Sequence, residues 1–382
     1  MRILHVIYDD IDNPWVGGGG ATRTLEIYSR IAAKGHRVVV VCGRYPGVST
    51  RQIRRGVTYR HLGASASYVW SRLTFMYGAA RLIKGRGYDI VIEDVSPFSP
   101  VGAPLWCGPI PSVASVQNLS GRHAVAKYGV MGVGPRIVEG PLLSLFKNFI
   151  AVSPGIAKEL KERHHTRNIR VIPNSVGSGF LTGGANPVYS DDGPYILSLG
   201  RIDVYQKGLD RLIAAFDIVA SQAPEFRLLI AGDGTAAQVG ELRRLVAEAR
   251  HGERITLLGK ASQVEAANLM KGAELLAMPS RYEAWPIAAI EAGVVGTPVV
   301  GADVTGVRDA APPFPRGHSK LVDGDDREAL AGAMLSVLND NNLRNTLSKA
   351  GQAWASRFSW DNLADKQLSF YLELISTTIN PK

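Results

Sequence analysis

Two glutamates stand on either side of a predicted helix start. Glu283 comes three residues before Pro286, and Glu291 comes five residues after it. Proline suits the first position of a helix because its missing N–H would have no intrahelical partner there. The next two amides, those of Ile287 and Ala288, would then be free at the positive end of the helix dipole, where a phosphate can bind. The pattern predicts two carboxylates beside an anion site, and the alternative is that both only complement the dipole.

Two cations follow a strand predicted at residues 195–199. Arg201 and Lys207 lie in the segment Gly-Arg-Ile-Asp-Val-Tyr-Gln-Lys-Gly at 200–208. In open α/β sheets ligands bind beyond the carboxyl ends of the strands, so both side chains would meet a ligand there. A guanidinium binds phosphate through its planar fork, and an ammonium binds it as a point charge. The segment predicts a diphosphate site, and the alternative is a pair of solvated loop cations.

Glycines near the start of the chain add a further feature. Gly17, Gly18, Gly19 and Gly20 follow the first predicted strand. Without side chains, their backbone amides can approach a phosphate closely. The run therefore predicts a phosphate-binding loop, and a plain flexible loop is the alternative.

A second glycine pattern and two acidic pairs keep other chemistries open. Gly232 and Gly234 open a G-x-G-x-x-A sequence after a predicted strand, with Glu253 about twenty residues on, which fits a dinucleotide-binding fingerprint. A nicotinamide-dependent oxidoreductase is therefore an alternative. The second acidic pair is also typical of a turn followed by a helix N-cap. The pairs that could hold a divalent metal are Asp10 with Asp12 and Asp323 with Asp325.

The composition limits the class of protein. A chain of 382 residues is too long for one core and predicts two domains. Its 46% hydrophobic and 20% charged residues describe a globular chain. No stretch approaches the roughly 18 apolar residues of a membrane span, and the first residues do not fit a signal peptide. Cys42 and Cys107 are too few for a disulfide framework or a zinc site, which predicts the reducing cytoplasm.

Charge is distributed unevenly along the chain. The net charge is +9, but residues 1–190 contain 23 Lys and Arg against 10 Asp and Glu, whereas residues 191–382 contain 20 against 24. The first half therefore carries the excess positive charge of the protein. An anionic membrane surface, a phosphorylated acceptor and nucleic acid are the partners that such a charge attracts.

Alternating strands and helices must position these side chains. Apolar runs of strand length alternate with helical segments in both halves, which predicts parallel sheets with helices on both faces. The glycine-rich segment 176–194 predicts a linker between domains at 1–175 and 195–359. After Asp326 the chain is predicted to be helical almost to its end. Strands are predicted at 2–8, 37–41, 57–61, 89–92, 112–116, 149–152, 170–172, 195–199, 226–231, 254–258, 275–278 and 298–300.

Together, these segments resemble glycosyltransferase family 4, the retaining nucleotide-sugar transferases with the GT-B fold. The order and spacing of the matching pieces cover nearly the whole chain. The pieces are glycines 17–20, Ala151-Val152-Ser153, Ile172-Pro173-Asn174, Gly200-Arg201, Lys207-Gly208, Ala231-Gly232-Asp233-Gly234, Leu258-Gly259, Pro279-Ser280, and Glu283 spaced to Glu291. The resemblance implies two facing, doubly wound Rossmann-like domains, the first for the acceptor and the second for the nucleotide sugar. It also implies a C-terminal helix at 360–382 that crosses back to the first domain.

The resemblance implies roles for individual residues. Arg201 and Lys207 would hold the diphosphate of a UDP- or GDP-linked sugar donor. Glu291 would bind the ribose hydroxyls, Glu283 would lie beside the donor sugar, and residues around Lys260 would meet the base. Neither a metal nor a cofactor is implied. The remaining predicted donor contacts are Gly18, Gly19, Gly232, Ile287 and Ala288.

One position departs from the family pattern. A histidine is usual at the end of the strand predicted at 112–116, and this chain has Gln117 there. Glutamine can donate a hydrogen bond to a sugar hydroxyl, but it is neither a base nor a cation. We predict that Gln117 contacts substrate during catalysis, and the alternative is that His123 takes the histidine role. Asp309 stands where the family often has glutamate.

The predicted reaction moves a hexose from a nucleoside diphosphate to a glycan or lipid-linked acceptor, in exopolysaccharide or glycolipid biosynthesis. Arg201, Lys207 and the helix amides would stabilise the departing phosphate in place of a metal ion. Glu283 would stabilise the positive charge on the sugar ring. Same-face attack by the acceptor, with retention, is the working hypothesis. The alternatives are a sugar-nucleotide epimerase of the same architecture, the oxidoreductase and a non-catalytic sugar-nucleotide binder.

Basic and aromatic residues cluster in the first domain. Val69, Leu73, Met76, Ala80 and Ile83 repeat at helical spacing, which predicts a core-facing stripe and leaves the neighbouring aromatics without a core contact. We predict that this face docks on the inner, anionic surface of a membrane; the alternative is a solvated basic face, and nucleic acid is not expected. The basic residues are Arg51, Arg54, Arg55, Arg60, Arg72, Arg81, Lys84 and Arg86, and the aromatic ones are Tyr68, Trp70, Phe75 and Tyr77.

Overall fold

The computed structural model describes residues 1–16, 18–85, 87–119, 129–164, 168–177, 180 and 193–379. The chain divides into two compact units. Unit 1 comprises Met1–Asn174 with Ser359–Lys382, and unit 2 comprises Ser175–Phe358. Most of the predicted linker at 176–194 lies outside the described residues.

Unit 1 is built on an eight-stranded sheet. Its strands are β1 (Arg2–Val6), β2 (Arg37–Gly43), β3 (Arg51–Arg54), β4 (Val57–Leu62), β5 (Ile90–Asp94), β6 (Ser112–Val116), β7 (Asn148–Ala151) and β8 (Asn168–Val171). Their order is β3-β4-β2-β1-β5-β6-β7-β8, and only β3 runs antiparallel to its neighbour. Strand β3 was not predicted, because a short edge strand with exposed polar residues lacks a buried run.

Helices of unit 1 bury its sheet. They are α1 (Gly19–Ala33), α2 (Tyr68–Lys84), α3 (Val133–Ser144), α4 (Pro154–His164) and the C-terminal helix (Trp360–Ile379). The C-terminal helix shares a core with α1. The hydroxyls of Tyr28 and Tyr371 lie 2.9 Å apart, and Arg23 donates to Gln367 Oε1 at 2.8 Å. The predicted return of this helix to the first domain is confirmed.

The predicted core stripe of α2 is correct only at Ile83, and Phe75, which was predicted to lack a core contact, is buried. Val69 and Leu73, which the helical spacing turns inward, are 64% and 48% exposed. A polar residue takes one inward position instead, since the Ser71 hydroxyl donates to the carbonyl oxygen of Arg44 at 2.6 Å. Hydrophobic periodicity does not reveal such a residue. The buried residues of α2 are Ser71, Phe75, Ala79 and Ile83.

Unit 2 is built on a six-stranded, wholly parallel sheet. Its strands are β9 (Tyr195–Leu199), β10 (Arg227–Ala231), β11 (Ile255–Gly259), β12 (Leu275–Met278), β13 (Val299–Ala302) and β14 (Ser319–Val322). The order is β11-β10-β9-β12-β13-β14. The short strand β14, which contains an exposed lysine, was not predicted. Because the strands are parallel, all their carboxyl ends lie at one edge of the sheet.

Eight helices accompany this sheet in the described part of unit 2. They are α5 (Val204–Lys207), α6 (Leu209–Gln222), α7 (Ala236–Glu248), α8 (Gln263–Gly272), α9 (Ile287–Val295), α10 (Thr305–Ala310), α11 (Arg327–Leu338) and α12 (Asn341–Ala355). The main core forms where α6 and α11 pack together against the sheet. The two doubly wound units confirm the predicted α/β class. Across the ranges that the structure describes, no helix has both the length and the apolar character needed to cross a membrane.

Candidate active site

The segment after β9 positions the predicted lysine. Asp203 caps α5 by accepting a hydrogen bond from the amide of Gln206 at 2.9 Å, and Lys207 is the last residue of this short helix. Gly208 then has a left-handed φ of 66°. A Cβ at this glycine would stand 2.1 Å from a carbonyl oxygen of the loop after β12. The glycine therefore lets the two loops meet, which brings Lys207 to the glutamate segment.

An ion pair joins the two predicted site residues of these loops. Lys207 Nζ lies 2.6 Å from Glu283 Oε1, and the two side chains are 23% and 9% exposed. The Ser280 hydroxyl donates to the same carboxylate oxygen at 3.0 Å. The structure thus brings together a cation and a carboxylate that are 76 residues apart in sequence. A diphosphate that binds Lys207 must share this ammonium with Glu283.

Arg201 provides a second cation at the same edge of the sheet. Its side chain is exposed, and its guanidinium donates to Gln206 Oε1 at 3.4 Å. A pocket at the carboxyl ends of β9, β10 and β12 is lined by Arg201, Lys207 and Ser280 among others. Both predicted diphosphate cations therefore line one pocket.

Helix α9 begins one residue later than predicted. Pro286 has φ −71° and ψ 109° and is the N-cap, so Ile287 is the first helical residue. The prediction of Pro286 as the first helical position is wrong because the ψ of this proline is extended. The amides of Ile287 and Ala288 still lie in the first turn, where they have no intrahelical acceptor. The anion site expected at this helix start keeps its backbone donors.

Glu291 lies one turn further into α9. Burial raises the pKa of its carboxyl group to about 7. No basic side chain among the described residues forms an ion pair with it. The group is therefore a carboxyl with unused hydrogen-bonding capacity, which fits the predicted contact with ribose hydroxyls.

Glu291 should make the stability of the protein depend on pH. Its folded pKa of about 7 lies above the ordinary glutamate value of 4.5, so between these values the native state holds a proton that the unfolded state has lost. The free energy of unfolding therefore falls as the pH rises through this interval, by ~3 kcal/mol. We expect Glu291→Gln to gain stability relative to the wild type between about pH 5 and about pH 8. Denaturant titrations across this range test it, and parallel pH profiles would contradict the assignment.

Gly232 is required by packing between two loops. A Cβ at this residue would stand 1.7 Å from the carbonyl oxygen of Gly200. The amide of Ile202 also donates to the carbonyl of Asp233 at 2.8 Å, which ties the loops after β9 and β10 together. The predicted contact of Gly232 with the donor stays a prediction. Lys260 follows β11 and is exposed, and its predicted contact with the base also stays a prediction.

The glycine loop of unit 1 leads directly into α1. Gly18 is the N-cap, with an extended backbone, and Gly19 is the first helical residue. No atom lies within 4 Å of a Cβ built at Gly18, so this glycine borders open space. The predicted donor contacts of Gly18 and Gly19 remain predictions, and Gly17 lies outside the described residues.

Hydrogen bonds orient Gln117 at the carboxyl end of β6. Its Nε2 donates to Ser115 Oγ at 3.2 Å, and its Oε1 accepts from Asn174 Nδ2 at 3.3 Å. Asn174 in turn accepts from the buried guanidinium of Arg23 at 3.0 Å. The amide thus has a defined orientation, while its predicted contact with substrate is untested. His123 lies outside the described residues.

Asp94, a carboxylate close to Gln117, was not predicted from the sequence. Burial raises the pKa of Asp94 to about 7, and the side chains of Ser115 and Gln117 partly oppose this shift. His5 Nε2 lies 3.9 Å from Asp94 Oδ2, and burial lowers the pKa of this imidazole to about 3. Asp94 is the last residue of β5, so its position at a strand end was the signal that could have found it.

The two acidic pairs considered as metal ligands have protein partners. Asp10 accepts from Arg54 at 2.8 Å and contacts His61 Nε2 at 3.1 Å. Burial acts to raise the pKa of Asp10, but hydrogen bonds from His61, Asp12 and Arg54 hold it below its usual value. Asp325 is paired with Arg211. Across the residues that the structure describes, no group of three or more potential ligands forms a metal site.

Each half of the chain matches a different family model. The family model described as Glycosyltransferase Family 4 matches residues 17–177, and the one described as Glycosyl transferases group 1 matches residues 186–354. A phosphatidyl-myo-inositol mannosyltransferase of Mycobacterium tuberculosis is 32% identical over 205 residues, which cover 52% of this chain and 53% of that protein. The matched part thus spans about half the length of the first curated relatives.

Solved structures share the fold over nearly the whole chain. A sucrose-phosphate synthase of Thermosynechococcus elongatus has a TM-score of 0.83 at 22% identity, covering 98% of this chain and 99% of its own. An Anabaena protein solved with UDP and glucose has a TM-score of 0.74 at 17% identity, with the same coverage. Two successive family models and this shared architecture lead to one conclusion: the chain belongs to glycosyltransferase family 4 and has the GT-B fold.

Proposed function

We propose that the protein is a metal-independent, retaining hexosyltransferase that uses a UDP- or GDP-linked sugar. Its acceptor is a glycan or lipid-linked saccharide of exopolysaccharide or glycolipid biosynthesis. The observation that carries the proposal is the contact of Glu283 with Lys207, which lines the same pocket as Arg201. The Anabaena protein solved with UDP and glucose supports a uridine nucleotide as the first donor to test.

The chemistry follows from the charges that develop as the bond to phosphate breaks. Negative charge grows on the leaving diphosphate, where Arg201, Lys207 and the first amides of α9 supply positive charge and hydrogen bonds. Positive charge grows on the sugar ring, which Glu283 is predicted to adjoin and stabilise. In this mechanism Gln117 donates a hydrogen bond to a sugar hydroxyl. The acceptor attacks from the face that the diphosphate leaves.

Turnover of a panel of UDP- and GDP-hexoses tests the proposal. We expect release of the nucleoside diphosphate from one donor, and faster release with a saccharide acceptor. Conversion of the donor into a different nucleotide sugar without an acceptor would identify the epimerase alternative. Tight binding of a nucleotide sugar without any turnover would identify a non-catalytic binder instead.

Activity should not depend on a divalent metal. Arg201 and Lys207 provide two positive charges for the diphosphate, so a metal ion is not needed to neutralise it. We expect donor turnover in excess chelator to stay within about twofold of the untreated enzyme. Loss of turnover in chelator, restored by manganese or magnesium, would contradict this and return the pairs Asp10 with Asp12 and Asp323 with Asp325 to consideration.

We further propose that unit 1 docks on an anionic membrane surface. Helix α2 exposes Val69, Trp70, Leu73 and Tyr77, of which Trp70 and Tyr77 are 63% and 71% exposed. Arg81 and Lys84 are exposed at its C-terminal end. The predicted basic cluster is smaller than its sequence suggests, since Arg54 pairs with Asp10 and Arg55 with Glu26. Basic residues near anionic lipid contribute about 1 kcal/mol each, and apolar side chains add burial.

Vesicle co-sedimentation tests this docking. We expect the protein to pellet with anionic vesicles at low salt, and less at high salt because the charges are screened. Replacing both Trp70 and Tyr77 by serine should reduce the pelleted fraction severalfold. Leu372→Ser is the matched control, since this leucine is 50% exposed on the C-terminal helix. Equal, weak pelleting with anionic and neutral vesicles would contradict the docking.

A further inference from the structure

An arginine of unit 1 is held between aromatic rings at the carboxyl edge of its sheet. The guanidinium carbon of Arg72 lies 4.3 Å from the ring centre of Tyr8 and 4.6 Å from that of Tyr68. Phe98 contributes a third ring at 5.8 Å. Tyr8 follows β1 and Phe98 follows β5, and ligands of open α/β sheets bind at this edge. Cation–π contacts fix the position of the guanidinium and leave its N–H groups for other partners.

The hydrogen-bonding capacity of Arg72 is largely unused. Its Nη1 donates to Ser99 Oγ at 3.4 Å, a long hydrogen bond, and its Nε is buried without a partner. No carboxylate in the described part of the chain forms an ion pair with it. Arg54 and Arg55, by contrast, are each paired with carboxylates. A partly buried guanidinium with several unused donors has the chemistry to bind an anion bidentately.

The carboxyl group of Asp9 interacts electrostatically with this arginine. Burial raises the pKa of Asp9 to about 6, and the charge of Arg72 partly opposes that shift. The two groups do not form an ion pair, so Asp9 leaves the donors of Arg72 available. Among the residues that the structure describes, Arg72 therefore lacks a direct counter-ion.

We propose that Arg72 binds a phosphate or carboxylate group carried by the acceptor saccharide. The inference rests on the proposed transferase function and specifies its acceptor as an anionic sugar. Tyr68 and Phe98 are each 39% exposed, so aromatic surface borders the guanidinium on the side where the sugar ring next to the anion would lie. The planar fork of the arginine suits both anions, since each offers two oxygens in one plane.

Binding of simple sugars tests this assignment without knowledge of the full acceptor. Calorimetric titration of the whole chain with glucose 6-phosphate, glucuronate and neutral glucose compares the three ligands. We expect both anionic sugars to bind at least tenfold more tightly than glucose, and Arg72→Gln to abolish that difference. Arg37→Gln is the matched control, since Arg37 is an exposed arginine at the amino edge of the same sheet. Equal affinity for all three sugars in the wild type would overturn the proposal.

Two further measurements cover a variant that fails to fold and an arginine that binds a lipid headgroup. If Arg72→Gln does not fold, Arg72→Lys replaces it; this variant should bind the anionic sugars more weakly than the wild type because an ammonium lacks the planar fork. Unchanged binding would overturn the proposal.

Binding to a lipid headgroup is a separate outcome. If Arg72→Gln no longer binds anionic vesicles but still binds sugar phosphates, the arginine contacts a lipid headgroup and the proposal is also overturned. Hydrolysis of the donor in the absence of an acceptor measures the transferase function alone. A wild-type protein that binds anionic sugars but consumes no donor would therefore contradict only the proposed function.

Discussion

Glu283→Gln is expected to lower the turnover number by about 10²–10³-fold while the affinity for the donor stays near the wild-type value. The glutamine keeps the shape of the side chain and can still accept a hydrogen bond from Ser280. It loses the negative charge that would stabilise the sugar ring only as the bond to phosphate breaks. An interaction that strengthens only in the transition state changes turnover and leaves ground-state binding nearly intact.

Glu291→Ala is expected to have the opposite kinetic effect to Glu283→Gln. This substitution removes the predicted ribose contact, so it should weaken donor binding by about tenfold or more with a smaller effect on turnover. Donor dissociation constants from calorimetry and single-turnover rates separate the two effects. Identical kinetic profiles for the two variants would contradict the division of roles between the carboxylates.

Lys207→Ala is expected to weaken donor binding by about 10²-fold, because charge-assisted hydrogen bonds to a diphosphate contribute roughly 1.5–3 kcal/mol. The structure adds a second consequence. Lys207 is the partner of Glu283 at 2.6 Å, and that carboxylate is 9% exposed. Removal of the lysine leaves a nearly buried charge unpaired, which should also lower the free energy of unfolding.

A double-mutant cycle separates binding from stability. In Lys207→Ala combined with Glu283→Gln, the unpaired charge is absent, so stability should recover partly while donor binding stays weak. Lys349→Ala, at an exposed position of α12, is the control for loss of a positive charge. If Lys207→Ala lowers only the stability and leaves donor affinity unchanged, the ion pair is structural and the diphosphate binds elsewhere.

Much of the fold could be predicted from local sequence. Buried parallel strands appear as short apolar runs, and this signal located nearly every strand of both sheets. The misses have physical reasons. Strand β3 is an exposed edge strand, and β14 is a four-residue strand with an exposed lysine. In α2, Ser71 faces inward because a backbone carbonyl satisfies its hydroxyl, so hydrophobic spacing pointed to the wrong face.

The segments that form the candidate site were predicted from the sequence, but the contacts between their side chains were not. The segments with Arg201, Lys207 and Glu283 follow strands of one parallel sheet, so their placement at the carboxyl edge follows from topology. The start of α9 was misplaced by one residue because the backbone of Pro286 is extended. Asp94 was missed because no short motif marks it, and its raised pKa comes from burial by distant parts of unit 1.

The sequence by itself determined the α/β class, the division into two domains and the loops that carry the predicted donor-site residues, because these depend on local periodicity, turn residues and motif spacing. Only the tertiary structure decided which side chains meet. The pairing of Lys207 with Glu283, the aromatic contacts of Arg72 and the bond from Arg23 to Gln367, which is 344 residues away, are of this kind. Such contacts depend on the packing of segments that are far apart in sequence. That packing cannot be inferred from the spacing of residues along the chain.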